Sequence, residues 1–307
     1  MIPNPFALPG RSDPFAALDP FAGDASEVLK LYVDVDHTEE AFQQFERAFR
    51  APRELTGRGQ LIVAMGESGC GKSALINRCA WHACTLLKNA GLEPLVVDVR
   101  DQGRDTENHV QRIEQISKFL IRYLYRKQYL DITQTEYEEL IKDPAAVFAD
   151  LGLYLSGEET VVVVRLPRTE LPTEITAWAN KTHARLLFFA ELRGEHDAAA
   201  ISEQSRGAEQ LPTVALEVKL LGLGHTAAFV RHRMERANHP ADGPQLHDDV
   251  ARRVDTTRGW TIRELQKLLF YFFEERCRTD RGGDIHWQDL LEYFMRDADR
   301  LIGRNDG

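Results

Sequence analysis

Gly66-Glu67-Ser68-Gly69-Cys70-Gly71-Lys72-Ser73 follows the apolar run Leu61-Ile62-Val63-Ala64-Met65 and leads into Ala74-Leu75-Ile76-Asn77-Arg78. The spacing is G-x-x-x-x-G-K-[ST], the P-loop signature, between a run that reads as a buried parallel strand and one that reads as a helix. The glycines let the backbone curl until successive N–H groups face one point. The helix that follows brings its positive N-terminal end to the same point. Such a cradle suits the phosphates of a nucleotide, with Lys72 reaching the β- and γ-phosphates and the Ser73 hydroxyl holding Mg²⁺. All eight residues form the candidate cofactor-binding set, with ATP or ADP and Mg²⁺ as the implied cofactors and Ser73 as the metal ligand. The competing reading is a Gly-rich turn with an exposed lysine. Cys70 lies inside the loop, where a helix N-terminus can lower a thiol pKa; the plainer reading is a small loop residue with no redox role.

Working outward, further apolar runs alternate with helical stretches. Glu93 to Val99, Thr160 to Val164, Arg185 to Ala190 and Val214 to Val218 read as four more strands, with Thr160 to Val164 dense in β-branched residues. The stretch Leu31-Tyr32-Val33 reads as a short strand before an amphipathic helix carrying Ala41, Phe42, Phe45 and Phe49. Helices between strands imply an α/β fold: a five-stranded parallel sheet sandwiched by helices, with ligands at the C-terminal strand ends. Beyond Gly222 the pattern is helical, and Ile262, Leu265, Leu268, Leu269, Phe272 and Phe273 make an apolar stripe that reads as the core of a small helical lid. The expected organisation is therefore an N-terminal arm over residues 1–28, a P-loop α/β domain over 29–222 and a lid over 223–307.

The arm carries Asn4-Pro5-Phe6, Asp13-Pro14-Phe15 and Asp19-Pro20-Phe21, an [Asn/Asp]-Pro-Phe unit written three times. Proline stops a helix and each phenylalanine is an anchor. Two readings stand: rings docked into a neighbouring subunit or partner, or an arm wrapped over its own domain.

Composition narrows the partners. A formal net charge of -10 over 307 residues argues against nucleic-acid binding by the surface as a whole, although a local basic patch leaves DNA possible. The four cysteines have neither C-x-x-C spacing nor a zinc-type histidine cluster. No run reaches bilayer length and the N-terminus is no signal peptide, so a cytoplasmic protein is expected, with no membrane partner.

The five strands, the P-loop after the first of them and the helical lid resemble the AAA+ ATPases, closest to the branch shared by origin-recognition, transposition-helper and signalling (STAND-type) ATPases. Val218-Lys219-Leu220-Leu221-Gly222-Leu223, followed by a helix with Arg231, Arg233 and Arg236, looks like that group's passage from last strand into lid. Gly259-Trp260-Thr261-Ile262-Arg263-Glu264-Leu265 resembles the lid stretch whose arginine, sensor 2, reaches the γ-phosphate. The resemblance makes Arg263 a nucleotide contact and covers about Leu31 to Arg300.

One departure matters more than these matches. In these ATPases the third strand ends in two acids, one supporting Mg²⁺ and the next activating water. Here Arg165 and Leu166 stand in those places. Arg165 either contacts phosphate or pairs with an acid at the strand ends. Glu191, ending the fourth strand at the sensor 1 position, is the candidate substitute as a water-orienting or Mg-side group, with Asp98 behind it. Arg206, or else Arg193, is the candidate arginine finger acting on a neighbour's γ-phosphate.

Three functions follow. The first is an ATP-binding switch whose nucleotide state sets its assembly as a homo-oligomer or on an effector protein, with hydrolysis slow or absent. The second is an active ATPase helper on DNA, in transposition or replication initiation. The third, a nucleotide or small-molecule kinase, fits poorly with the long helical C-terminal region.

Overall fold

The computed structural model describes residues 4–8, 13–103, 106, 108–144, 147–194, 196–204, 213–237, 243–257, 259–279 and 283–296. The chain divides into two compact units, Ala41–Gly66 with Leu75–Glu217, and Met1–Glu40 with Glu67–Ala74 and Val218–Gly307.

The first unit is built on β1 (Gln60–Gly66), β2 (Glu93–Asp98), β3 (Thr160–Thr169), β4 (Leu186–Arg193) and β5 (Val214–Glu217). They form one five-stranded parallel sheet in the order β2-β3-β4-β1-β5. The expected α/β architecture is what the chain adopts. Parallel strands joined by helical crossovers are covered on both faces, which is why β1, β3 and β4 are nearly continuous apolar runs. Alternation sorts their side chains. Val63, Val164, Phe188 and Leu192 share one cluster with residues of α4 (His109–Arg126), α6 (Val147–Tyr154) and α7 (Pro172–Ala179). The opposite face receives α2 (Asp36–Ala48) and α3 (Lys72–Asn89). There the Phe45 ring lies 6.3 Å from Phe189, and His82 packs edge-on against Phe42 and Phe45. The short helices α5 (Gln134–Leu140) and α8 (Ala198–Gln204) complete the crossovers.

β3 runs five residues past the expected end at Val164, and its register against β4 shifts between Arg165 and Arg168. Pro167 has no N–H to give the ladder, so an irregularity falls where the sequence puts it. At the far end of this strand Glu174, which is 1% exposed, accepts from the Thr169 hydroxyl at 2.6 Å and pairs with Arg112 of α4. A buried carboxylate persists only with such partners.

The second unit contains the arm, α1 (Ala25–Leu29), the P-loop residues and the lid. Leu31-Tyr32-Val33 is not a strand. The segment is instead tied by the Tyr32 hydroxyl, which donates to the carbonyls of Leu18 (3.1 Å) and Ala74 (2.9 Å). The C-terminal helical region, which corresponds to the expected lid and keeps that label, comprises α9 (His225–Arg236), α10 (Asp248–Thr257), α11 (Ile262–Arg278) and α12 (Trp287–Arg296). A short parallel pair, β6 (Pro244–Leu246) with β7 (Gly283–Ile285), went unforeseen because three-residue strands leave no periodic signal. Of the expected stripe, Leu265, Leu268, Leu269, Phe272 and Phe273 are buried in the lid core together with Phe6 of the arm, and Ile262 packs against it partly buried. Arg233 is also buried there, its guanidinium 5.2 Å over the Phe229 ring, and desolvation pushes its pKa down to about 10.

Candidate nucleotide-binding site

The loop after β1 takes the conformation its glycines allow. Gly69 and Gly71 have φ of 89° and 103°, a region closed to most side chains. A Cβ on Gly69 would also stand 2.9 Å from the Thr261 hydroxyl oxygen, so space and backbone both demand glycine there. Lys72 opens α3 and is 7% exposed, with its ammonium donating to the Glu67 carbonyl at 2.6 Å. A lysine folded over its own loop, beside amides at the start of an 18-residue helix, is the donor set that fits a chain of phosphates. For Mg²⁺ the loop offers the Ser73 hydroxyl, and no group of three or more His, Cys, Asp or Glu suited to a metal occurs among the described residues. Cys70 is 1% exposed, and burial pushes its thiol pKa up despite the nearby Lys72. Burial and the raised pKa both weigh against a reactive thiol here.

The N-terminus of α11 meets the same loop. Thr261 and Glu264 close a capping box in which the Glu264 N–H donates to the Thr261 hydroxyl at 3.1 Å and the Thr261 N–H donates to the Glu264 carboxylate at 3.0 Å. The Arg263 N–H then donates to the Gly69 carbonyl at 3.1 Å, while Ile262 approaches Gly71. This corner is held from behind by Trp260, whose carbonyl accepts from the Leu221 N–H at 2.8 Å and whose indole N–H donates to the Val254 carbonyl at 2.9 Å. Arg263 is thus brought to the loop by its backbone. Sequence reading singled out its side chain and missed Thr261, although T-x-x-E before an apolar stripe is a capping signal.

In the α/β unit, Arg165 is 2% exposed. Its Nη2 donates to Asn77 Oδ1 at 2.7 Å, and its Nη1 lies 3.4 Å from an Asp98 oxygen. Of the two readings for Arg165, pairing with a strand-end acid is the one this geometry shows. Asp98 is held further by Arg100, with Nη2 at 2.6 Å and Nε at 2.9 Å. Partial burial works to raise the Asp98 pKa, but the hydrogen bonds and charge of Arg100, with Arg165, outweigh it and leave the net shift downward. A carboxylate engaged by two guanidiniums is poorly placed to take a proton from water. Asn77 was overlooked; its signal was an amide directly after the apolar Ala74-Leu75-Ile76, one turn after Ser73, where it is 1% exposed.

Glu191 does not end its strand. β4 continues to Arg193, and Glu191 is 4% exposed, level with Ala64 of β1 and Arg168 of β3. The strand runs on because Gly194 reaches Gly66 through an N–H to O contact of 3.2 Å. Glu191 alternates with Ala190 and Leu192, so it faces the α3 side of the sheet, as Arg165 does on β3. Arg193 is exposed and paired with Glu170 at 2.8 Å. Arg206 lies outside the described residues.

No protein-family model and no curated protein matches this chain. Solved structures do. The Aeropyrum pernix ORC2 protein, in its ADPNP-ADP complexes, superposes with a TM-score of 0.54 at 11% identity, covering 88% of this chain and 68% of that one. PCH-2 of C. elegans gives 0.53 at 12% identity, over 91% and 73%. The Aeropyrum pernix ORC1 protein in complex with DNA gives 0.51 at 13% identity, over 92% and 69%. The chain has the AAA+ P-loop fold. At these identities the likeness speaks for the fold alone. Within that fold the sheet order puts β4 between β1 and β3, so Glu191 and Arg165 stand on neighbouring strands.

Proposed function

We propose that this chain is an ATP-binding AAA+ module that works as a nucleotide-dependent assembly switch for further copies of itself or for an effector protein. The observation that carries it is the hydrogen bond from the Arg263 N–H to the Gly69 carbonyl, which joins the first turn of lid helix α11 to the phosphate loop. Any change in the loop on filling or emptying is felt at the start of a 17-residue helix that spans the lid core.

Bound ATP with Mg²⁺ supplies the charge that the loop amides, Lys72 and the Ser73 hydroxyl are built to hold. In this reading Arg263 reaches the terminal phosphate as sensor 2. Glu191 orients water and Arg206 acts across a subunit boundary. The third strand carries Arg165 where an acid is needed, already committed to Asn77 and Asp98. Without a positioned base, such chemistry slows by about 10²–10⁴. Slow turnover suits a switch, which needs a lasting bound state.

The test is calorimetric titration of the purified chain with ATP and Mg²⁺, alongside phosphate release and light scattering. Binding with little turnover and a nucleotide-dependent mass supports the proposal; absence of binding ends it. The alternative is an active ATPase helper on DNA, favoured by the fold likeness to an ORC1 protein solved with DNA. DNA-stimulated phosphate release would select that alternative. No helix among the described residues is long and apolar enough to cross a membrane.

A further inference from the structure

Asn4-Pro5-Phe6-Ala7, Asp13-Pro14-Phe15-Ala16 and Asp19-Pro20-Phe21-Ala22 repeat one four-residue unit, and all three fold alike. In each, the first side chain accepts from the phenylalanine N–H two residues on, at 3.0, 2.8 and 3.1 Å. The first carbonyl accepts from the alanine N–H, at 3.1, 3.3 and 3.1 Å. Each is a β-turn with proline second, locked by its own Asn or Asp.

The turns differ in what they meet. Phe6 is 0% exposed, with its ring 4.9 Å from Phe273 and 6.1 Å from Phe229. Phe15 is only partly buried, against Phe270 and Tyr271. Polar contacts add a reading of the first residue. The Asn4 amide nitrogen donates to the Phe270 carbonyl at 2.8 Å and to the Glu274 carboxylate at 3.3 Å. Aspartate would keep the turn yet bring a carboxylate against two acceptors, one of them charged. The Asp13 and Asp19 turns are therefore poor substitutes. Gln266, 7% exposed, donates to the Phe6 carbonyl, while its own amide oxygen has no hydrogen-bond partner among the described residues. Without the turn, that buried amide loses its hydrogen bond as well.

We infer that the lid face formed by Phe229, Gln266, Phe270, Phe273 and Glu274 is a peptide-binding site selective for an Asn-Pro-Phe turn, filled here by residues 4–7 of the same chain and able to take that segment from a second copy. Its contacts are made by the lid helices and the arm, with no residue of the phosphate loop among them. Tethering raises the arm's local concentration to about the millimolar range, so the chain's own turn outcompetes a free one until it is weakened.

A fluorescein-labelled peptide of residues 1–10 tests this by anisotropy against the full chain as wild type, as Asn4→Asp and as Phe6→Ala. Both variants should capture the peptide at least about tenfold more tightly than wild type, whose arm competes. The peptide carrying Asn4→Asp should bind about tenfold more weakly than its parent, and one carrying Phe6→Ala should not bind. If the Phe6→Ala chain does not fold, the Asn4→Asp chain carries the comparison. Equal binding of the parent and Asn4→Asp peptides overturns the inference, as does an Asn4→Asp chain with unchanged circular dichroism that ignores the parent peptide.

Discussion

Putting an acid into the third strand tests how far the structure is committed to a cation there. Arg165→Asp restores the residue type expected at that position of an active AAA+ ATPase. Arg165→Met keeps the length and removes the charge. In the methionine variant a charge-assisted hydrogen bond to Asn77 is lost, worth about 1.5–3 kcal/mol. Part of that returns because a 2%-exposed guanidinium no longer has to be desolvated. Asp98 is 42% exposed and keeps Arg100, so no charge is orphaned. The net cost is about 1–2 kcal/mol. The aspartate variant instead buries a new anion beside Asp98 and Asn77 Oδ1, both acceptors. An uncompensated buried charge costs about 3–5 kcal/mol. Urea denaturation followed by circular dichroism should place Arg165→Asp about 2–3 kcal/mol below Arg165→Met. Adding Asp98→Asn to Arg165→Asp should recover part of the loss, and a cycle of Arg165→Met with Asn77→Ala should give a coupling of about 1 kcal/mol or more. Equal stability of the Met and Asp variants would refute the reasoning, because the pocket would then show no preference for positive charge. Arg165→Asp should likewise gain no ATP turnover.

Other outcomes follow from the same geometry. Lys72→Ala should weaken ATP binding by about a hundredfold or more in calorimetry, since it removes several charge-assisted contacts of about 1.5–3 kcal/mol each; unchanged affinity would dismiss the phosphate-cradle assignment. Gly69→Ala forces a side chain into φ of 89° and against the Thr261 hydroxyl, so it should lower stability by about 1–3 kcal/mol, and wild-type melting behaviour would show that the loop is not held against α11. Glu191→Gln should reduce whatever phosphate release the chain has; no change removes Glu191 from the chemistry. The native Asp98 pKa lies below the ordinary carboxylate value of 3.8, so its stabilisation is complete above that value and disappears as pH falls through the native one. The difference in melting temperature between wild type and Asp98→Asn should therefore be constant at neutral pH and close on acidification below about pH 4; a gap that persists there would mean that the ion pair is not its source.

The sequence by itself determined the P-loop, the five strands with their parallel arrangement, and the stripe of α11. These are local facts. A glycine spacing, a run of valines or a period of 3.6 declares itself within a few residues, because backbone sterics and one-sided burial act over that range. Tertiary structure alone decided where the charges go. Arg165, Asn77 and Asp98 come from three separate segments: the pairing of β2 with β3 sets Asp98 level with Arg165, and the packing of α3 on the sheet brings Asn77 to them. Glu191 looked like a strand end because the apolar run stops at Ala190, yet pairing with β1 carries β4 on to Arg193 and buries it. The arm shows the same division. Its three turns are written in the sequence, but the choice of the first to enter the lid core rests on an amide nitrogen meeting the Phe270 carbonyl and Glu274, which no local pattern encodes.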